Sequence, residues 1–289
     1  MKEETTSLLV VLLTYAVAFI SAFLTGIYIQ FLHPLIIVLI CDVVATLVVY
    51  MFSSIYTNAS LYDPYWSVAP IFIALYFFII NPFSGNLIRK IGVLSLTFVW
   101  GMRLTWNWAQ NWQGLKDEDW RYRMYRNNNP KLFWLINLFG IQFMPTILVY
   151  LGCLSLFPSL VESRAYFTYV DIFAISITFL AIVIESVADK QLKKFIEKRE
   201  SHKKIMKEGL WKYSRHPNYF GEILFWWGLY CFALASNLDF WWTIIGPIGI
   251  TVLFIFVSIP LMDERNLKRR PQYKEYMKKT SKLIPWKKN

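Results

Sequence analysis

The densest group of side chains able to do chemistry lies between Gly209 and Glu222. There the segment Gly-Leu-Trp-Lys-Tyr-Ser-Arg-His-Pro-Asn-Tyr-Phe-Gly-Glu runs into an apolar stretch. Pro217 suits the first turn of a helix, where its missing N–H costs nothing. The free N–H groups and partial positive charge of that helix start would sit beside Arg215 and Lys212, an arrangement that binds anions. Asn218 and Glu222 are four residues apart and share one helix face. The structural alternative is that Arg215 and His216 meet lipid phosphates and Pro217 only starts the helix. A second charged group, Asp263-Glu264-Arg265, closes another apolar stretch, where buried acids are expensive and commonly paired. Glu185 and Asp189 are also i, i+4, and Arg103 stands inside a further apolar stretch. An ion pair of these acids with Arg103 or Lys193 would be purely structural.

The elements that hold these groups are helices in an apolar solvent. The 289 residues are 56% hydrophobic and 18% aromatic, with a mean hydropathy of +0.39, beyond the usual share for a soluble domain. Lipid accounts for the excess, and the 13 Trp and 17 Tyr are of the types that gather where hydrocarbon meets water. Trp106, Trp108 and Trp112 read as such a belt. A span needs about 20 apolar residues. Candidates run near 8–32, 34–52, 66–81, 91–108, 132–157, 167–188, 218–236 and 240–262. The expected fold is therefore an all-α polytopic bundle of about eight spans, within a range of seven to nine. Gly140 and Pro145 predict a kink in the fifth.

Orientation follows from the basic residues. With eight spans, the termini and every even-to-odd loop lie on one side, which collects 26 of the Lys and Arg residues against three on the other. The positive-inside rule puts the rich side, with both termini, in the cytoplasm. The net charge of +11 is confined to these loops and the tail. It fits anionic headgroups and a phosphorylated cofactor better than nucleic acid. Cys41, Cys153 and Cys231 are scattered, and with only three His there is no metal-ligand spacing, so neither disulfides nor zinc are expected. His33 beside Pro34 reads as a turn residue. Asp42, inside the second span, is either functional or hydrogen-bonded to a neighbouring helix.

Taken together, Tyr213-Ser-Arg-His-Pro-Asn-Tyr-Phe-Gly-Glu222 and the Glu264-Arg-…-Tyr273-…-Tyr276-…-Ile-Pro-Trp286 tail resemble the C-terminal domain of the steroid 5α-reductase superfamily. Leu61-Tyr-Asp-Pro-Tyr-Trp-Ser-Val-Ala-Pro70, Trp100-Gly-Met-Arg-Leu-Thr-Trp-Asn-Trp108 and Glu118-Asp-Trp-Arg-Tyr122 resemble one branch of it. The likeness covers 61–289 and leaves two helices in 1–60 outside it. It implies a membrane reductase that uses NADPH on an activated C=C bond of a lipid, steroid-like or isoprenoid. Its cofactor would lie among the C-terminal helices and cytosolic loops.

Carried over, the resemblance assigns Asn218, Tyr219 and Glu222, with Asp189 and Arg103, to the cofactor. Arg121, Arg215 and Arg265 would meet its phosphates. Asp63 falls where the reductases hold a catalytic carboxylate, in front of the third helix. The family residue is a glutamate, one methylene longer. Their partner tyrosine falls on Trp100, which has no phenolic proton, so Tyr62 or Tyr65 would substitute. Asp63 before Pro64 would otherwise be only an N-cap. Two other functions compete. Membrane methyltransferases of the isoprenylcysteine or phospholipid type share an Arg-His-Pro-x-Tyr-x-Gly segment and bind S-adenosylmethionine, a sulfonium without phosphate. A non-enzymatic lipid-binding or transport protein would take up no cofactor.

Overall fold

The computed structural model describes residues 2–83, 85–164 and 166–286. Helices α1 (Lys2–Tyr28) and α2 (Pro34–Ile55) form a hairpin, turned where the His33 ring nitrogen accepts from the Leu35 N–H and caps α2. A 3₁₀ turn (Ala59–Tyr62) leads into α3 (Tyr65–Ile80), which pairs with α4 (Leu87–Asn111). The short α5 (Trp120–Asn128) follows. Next come α6 (Phe133–Leu135), a π-helical stretch (Ile136–Phe143), α7 (Met144–Cys153) and α8 (Leu156–Leu160). The long α9 (Tyr169–Lys198) packs along α10 (Pro217–Ser236). A 3₁₀ turn (Leu238–Ile244), α11 (Ile245–Leu253), a second π-helical stretch (Phe254–Ser258) and α12 (Ile259–Arg269) make the last passage, and α13 (Tyr273–Lys279) lies in the tail. No strand occurs among the described residues; Ser214 and Ser281 form an isolated bridge.

Six helical passages are long and apolar enough to cross a membrane: Thr5–Tyr28, Pro34–Ile55, Ala59–Ile80, Phe133–Leu160, Tyr169–Lys198 and Leu238–Arg269. This is the architecture of a multi-pass membrane protein. The sequence reading expected about eight, and the two that fall short are α4 and α10. Both have the length: 25 and 20 residues rise about 37 and 30 Å, against roughly 30 Å of hydrocarbon. What they lack is apolarity, and their position explains why. α10 is enclosed by its neighbours, with Glu222, Phe225, Trp226, Leu229 and Phe232 buried, so little of its surface would meet lipid. α4 buries Arg89, Lys90 and Trp100.

Helices pack closely here because small residues let backbones approach. A Cβ on Gly221 would come within 2.8 Å of the Glu185 Cβ and 2.9 Å of the Ala181 carbonyl oxygen. Gly228, seven residues on, is pressed against Thr178 in the same seam. At the end of the bundle away from α5, Arg89 is wholly buried. It donates to both Asp171 oxygens at 2.5 and 2.8 Å, to Ser163, and to the carbonyls of Arg164 and Tyr166. Asp171 in turn closes a capping box with Thr168.

The tail is lashed to the loop before α10. Ser214 donates to the Leu283 carbonyl at 2.6 Å, the Arg215 N–H to Ser281 at 2.9 Å, and the Tyr276 hydroxyl to the Trp211 carbonyl. Where Gly140 and Pro145 predict a kink, the helix departs from the α pattern: Gly140 lies in the first π-helical stretch, which ends two residues before Pro145.

Candidate functional site

A cavity of about 400 Å³ opens between the ends of α3, α5, α9 and α10 and runs inward among α7, α11 and α12. Asp63, Asn107, Arg121, Tyr122, Asp189, Asn218, Tyr219 and Glu222 form its polar wall. Leu148, Val149, Ile250, Leu253, Phe254 and Val257 form the apolar remainder. Seven of the eleven candidate catalytic and cofactor residues meet here: Tyr62, Asp63, Arg121, Asp189, Asn218, Tyr219 and Glu222, with Glu185 beside them. Asp63 and Asp189 are 126 positions apart in the chain, so only the fold brings them to one wall.

Asp63 does not cap α3. It ends the preceding 3₁₀ turn, and Pro64 occupies the position before α3 with no side-chain cap bond. The Asp63 carboxylate instead accepts the Tyr122 hydroxyl at 2.7 Å. Burial, and then the Asp63 carboxylate beside it, hold the Tyr122 phenol well above its ordinary pKa. Tyr122 therefore keeps its proton at any physiological pH. Arg121 reaches back to Asp119 at 2.8 Å, and its guanidinium lies 5.4 Å from the Tyr122 ring centre. Burial opposes the charge, but the bond to Asp119 and the negative charges of Asp119 and Asp63 outweigh it, so the Arg121 pKa rises and the charge is permanent.

Tyr62 lines the cavity, but its hydroxyl is shared with Thr146 at 2.8 Å, and Thr146 with Thr46 at 2.9 Å. Tyr65 lies outside the cavity and donates to Asp42 at 2.6 Å, which is the neighbouring-helix bond foreseen for that acid. Neither tyrosine is the partner of Asp63; Tyr122 is. Tyr122 closes the Glu118–Tyr122 segment, but a contact spanning 59 residues leaves no local signal of its role.

The cofactor candidates divide. Asn218 donates to Asp189 at 3.4 Å, as does Asn107 from α4. Glu222 accepts the indole N–H of Trp226 at 2.8 Å and of Trp100 at 2.9 Å. Trp100, fully buried and stacked 4.3 Å from Phe225, thus orients a carboxylate instead of donating a phenolic proton. Arg103 stays outside the cavity wall, clamped to Glu185 at 2.5 Å and Asp189 at 3.0 Å. Arg215 is spent on Asp263 at 3.1 Å, alongside His216 at 3.0 Å and Tyr273 at 2.8 Å. The His216 ring stacks on Tyr219, carrying that clamp to the wall. Arg265 lies over the Trp120 ring at 4.1 Å, within Coulombic reach of Arg121, Arg269 and Arg270.

Residues 18–280 match the family described as a protein of unknown function, DUF1295, and the chain belongs to that family. It is also similar to an uncharacterized protein of the fission yeast Schizosaccharomyces pombe, 26% identical over 253 residues that cover 79% of this chain and 73% of the yeast protein. No solved structure matches it.

Proposed function

We propose that this protein is a membrane reductase that uses NADPH to saturate an activated C=C bond of a lipid. The observation that carries this reading is the Asp63–Tyr122 pair at the wall of a cavity that is otherwise largely apolar. The Tyr122 proton is shared with the Asp63 carboxylate, so the pair holds one proton that a bound carbonyl could draw on by turning the hydroxyl from Asp63 to itself; general acid catalysis needs such a proton within hydrogen-bond reach of the substrate. A hydrogen bond from this pair to a carbonyl oxygen conjugated with the C=C bond draws charge from the double bond. The nucleotide, when bound, supplies the hydride. The steroid 5α-reductase likeness of five segments points the same way.

The residues present fit that nucleotide. Asp189, Asn218, Asn107 and Glu222 offer an amide and carboxylate wall suited to ribose hydroxyls and a carboxamide. Arg121 supplies positive charge for phosphates at the wall, and Arg265, outside the cavity lining over Trp120, adds to the positive field around it. Arg215 and Arg103, outside the cavity lining and clamped to acids, hold the wall in place; Arg121 also bonds an acid, Asp119, but through Nε and at the wall itself. Asn218→Ala is expected to weaken NADPH binding by roughly tenfold or more, the loss of one buried hydrogen bond of about 1–3 kcal/mol. Isothermal titration in detergent checks this, and unchanged affinity removes Asn218 from the cofactor site.

One observation favours a second reading. Glu185, Asp189 and Glu222 are three acids around a single Arg103, a surplus that would suit the sulfonium of S-adenosylmethionine. Mass spectrometry of the purified protein separates the readings: retained NADPH supports reduction, S-adenosylmethionine supports methyl transfer, and neither supports a non-enzymatic lipid carrier.

The same proposal has α4 and α10 crossing the bilayer as well, α10 as an enclosed span and α4 with its polar side against the bundle, giving eight, with the 109–131 and 189–216 segments in the cytosol. Cysteines placed at Asn128 or Lys204 are expected to stay unreactive to an impermeant thiol reagent in intact cells, and one at Asn86 to react. The opposite pattern overturns the topology and the cytosolic access to NADPH.

A further inference from the structure

Two π-helical stretches, Ile136–Phe143 and Phe254–Ser258, both contribute to the cavity wall: Gly140 and Ile141 from the first, Phe254, Val257 and Ser258 from the second. Such stretches are rare and concentrate at functional sites. Both lie inside passages of membrane-spanning length and apolarity. Several wall residues there also reach the outer surface of the bundle. Gly140 is exposed, Met144 is 38% and Val257 43% exposed, and Phe139 and Phe256 flank them at 59% and 71%. A residue that is both cavity wall and lipid-facing surface marks an opening. This one is apolar and lies between two passages of membrane-spanning length and apolarity.

We infer that the cavity loads sideways from the membrane through a mouth between these stretches. Its occupant is a chain-bearing amphipathic lipid that enters polar end first and leaves hydrocarbon in the bilayer. The inference rests on the reductase reading for the role of the inner end, where Asp63 and Tyr122 would receive the reactive group. Size supports the orientation. About 400 Å³ is near the lower limit for a small-molecule site, and here it is shared with part of a nucleotide. A lipid of any length must therefore remain partly outside, and the only apolar solvent outside is the bilayer. The wall of the mouth fits flexible chains: Met144 and Leu148 on one side, Leu253 and Met262 on the other.

Gly140 provides the test, because a side chain there meets open space, with only the Ile136 Cγ2 within 4 Å, at 3.9 Å. Gly140→Phe should fold and plug the mouth; Val257→Trp should plug it from the opposite lip. The probe is a fatty acid carrying a chain-terminal diazirine, in phosphatidylcholine nanodiscs, with labelled sites mapped by mass spectrometry. A water-soluble diazirine is the second arm. Val149 and Ile250 are 6% and 4% exposed and line the cavity, so a bilayer probe reaches them only through it.

The lipid probe is expected to label both in the wild type, and the label is expected to vanish in each plugged variant while Phe256 on the outer surface stays labelled. Absence of label at Val149 and Ile250 in the wild type, equal label in both plugged variants, or label by the water-soluble probe alone overturns the lateral mouth. Should Gly140→Phe fail to fold, Val257→Trp decides. NADPH retention measured on the same samples tests the reductase reading separately, since its loss from the wild type would not alter the labelling pattern.

Discussion

Asp63→Asn is expected to slow NADPH consumption at least about 100-fold, within the range for loss of general acid–base function. The assay is proteoliposomes supplied with a total lipid extract of the source membrane, followed by nucleotide absorbance. The structure removes the bland account of this residue. Asp63 satisfies no N–H of α3, so the substitution costs no cap. Asn can still accept the Tyr122 hydroxyl through its amide oxygen, so the position of α5 against the bundle is preserved. What is lost is the capacity to ionise and to share a proton. Nucleotide affinity is expected to stay within about twofold of wild type, since no charge that serves the phosphates changes. Tyr122→Phe makes the complementary change and should fall by a similar factor, whereas Tyr62→Phe removes a hydroxyl already shared with Thr146 and should matter less. An Asp63→Asn enzyme of normal rate would show that the carboxylate is not in the chemistry and that the Tyr122 bond is a brace between α3 and α5.

Helix existence was legible in the sequence because it depends on local apolar runs, and six of the eight proposed stretches match helices of membrane-spanning length and apolarity. The other two, α4 and α10, show why hydropathy has a limit. An enclosed helix such as α10 can carry Glu222, and a helix such as α4 can turn Arg103 to the bundle while its other face stays apolar, so the sequences of both carry mixed signals. Candidate residues were legible where several chemical types crowd a short segment, as in Arg215 to Glu222. The pairing between segments was not. Nothing in the local pattern tells that Trp100 donates to Glu222, 122 residues away, or that the partner of Asp63 comes from α5 and not from the adjacent Tyr62 or Tyr65. For Glu185 and Asp189 the sequence left Arg103 or Lys193 as ion-pair partner, beside a cofactor role for Arg103 and Asp189; the fold selects Arg103 for the pair, since i, i+4 acids and a lone intramembrane arginine attract each other.

That ion pair gives the largest expected effect on stability. Arg103 is 17% exposed, Glu185 6% and Asp189 21%, so the guanidinium and at least one carboxylate are withdrawn from water. Arg103→Ala would leave both acids facing each other, with Glu222 close enough to add repulsion. Breaking a buried pair by removing one partner costs about 3–5 kcal/mol. The lower end applies here, because the partial exposure of Asp189 lets water compensate it. Arg103→Lys restores the charge but cannot span two carboxylates with one planar group, so it should recover most of the stability and little of the geometry. Equilibrium unfolding in mixed micelles measures the first, and NADPH titration the second.

If Arg103 is a positioning residue for Asp189, Arg103→Lys should be nearly as stable as wild type yet bind NADPH more weakly. Asp189→Asn added to Arg103→Ala should return part of the lost stability, since it removes one of the stranded charges, and the size of that coupling separates the Asp189 arm from the Glu185 arm. An Arg103→Lys protein equal to wild type in both assays would mean that the pair is a packing device and that Asp189 finds its orientation from Asn107 and Asn218 alone.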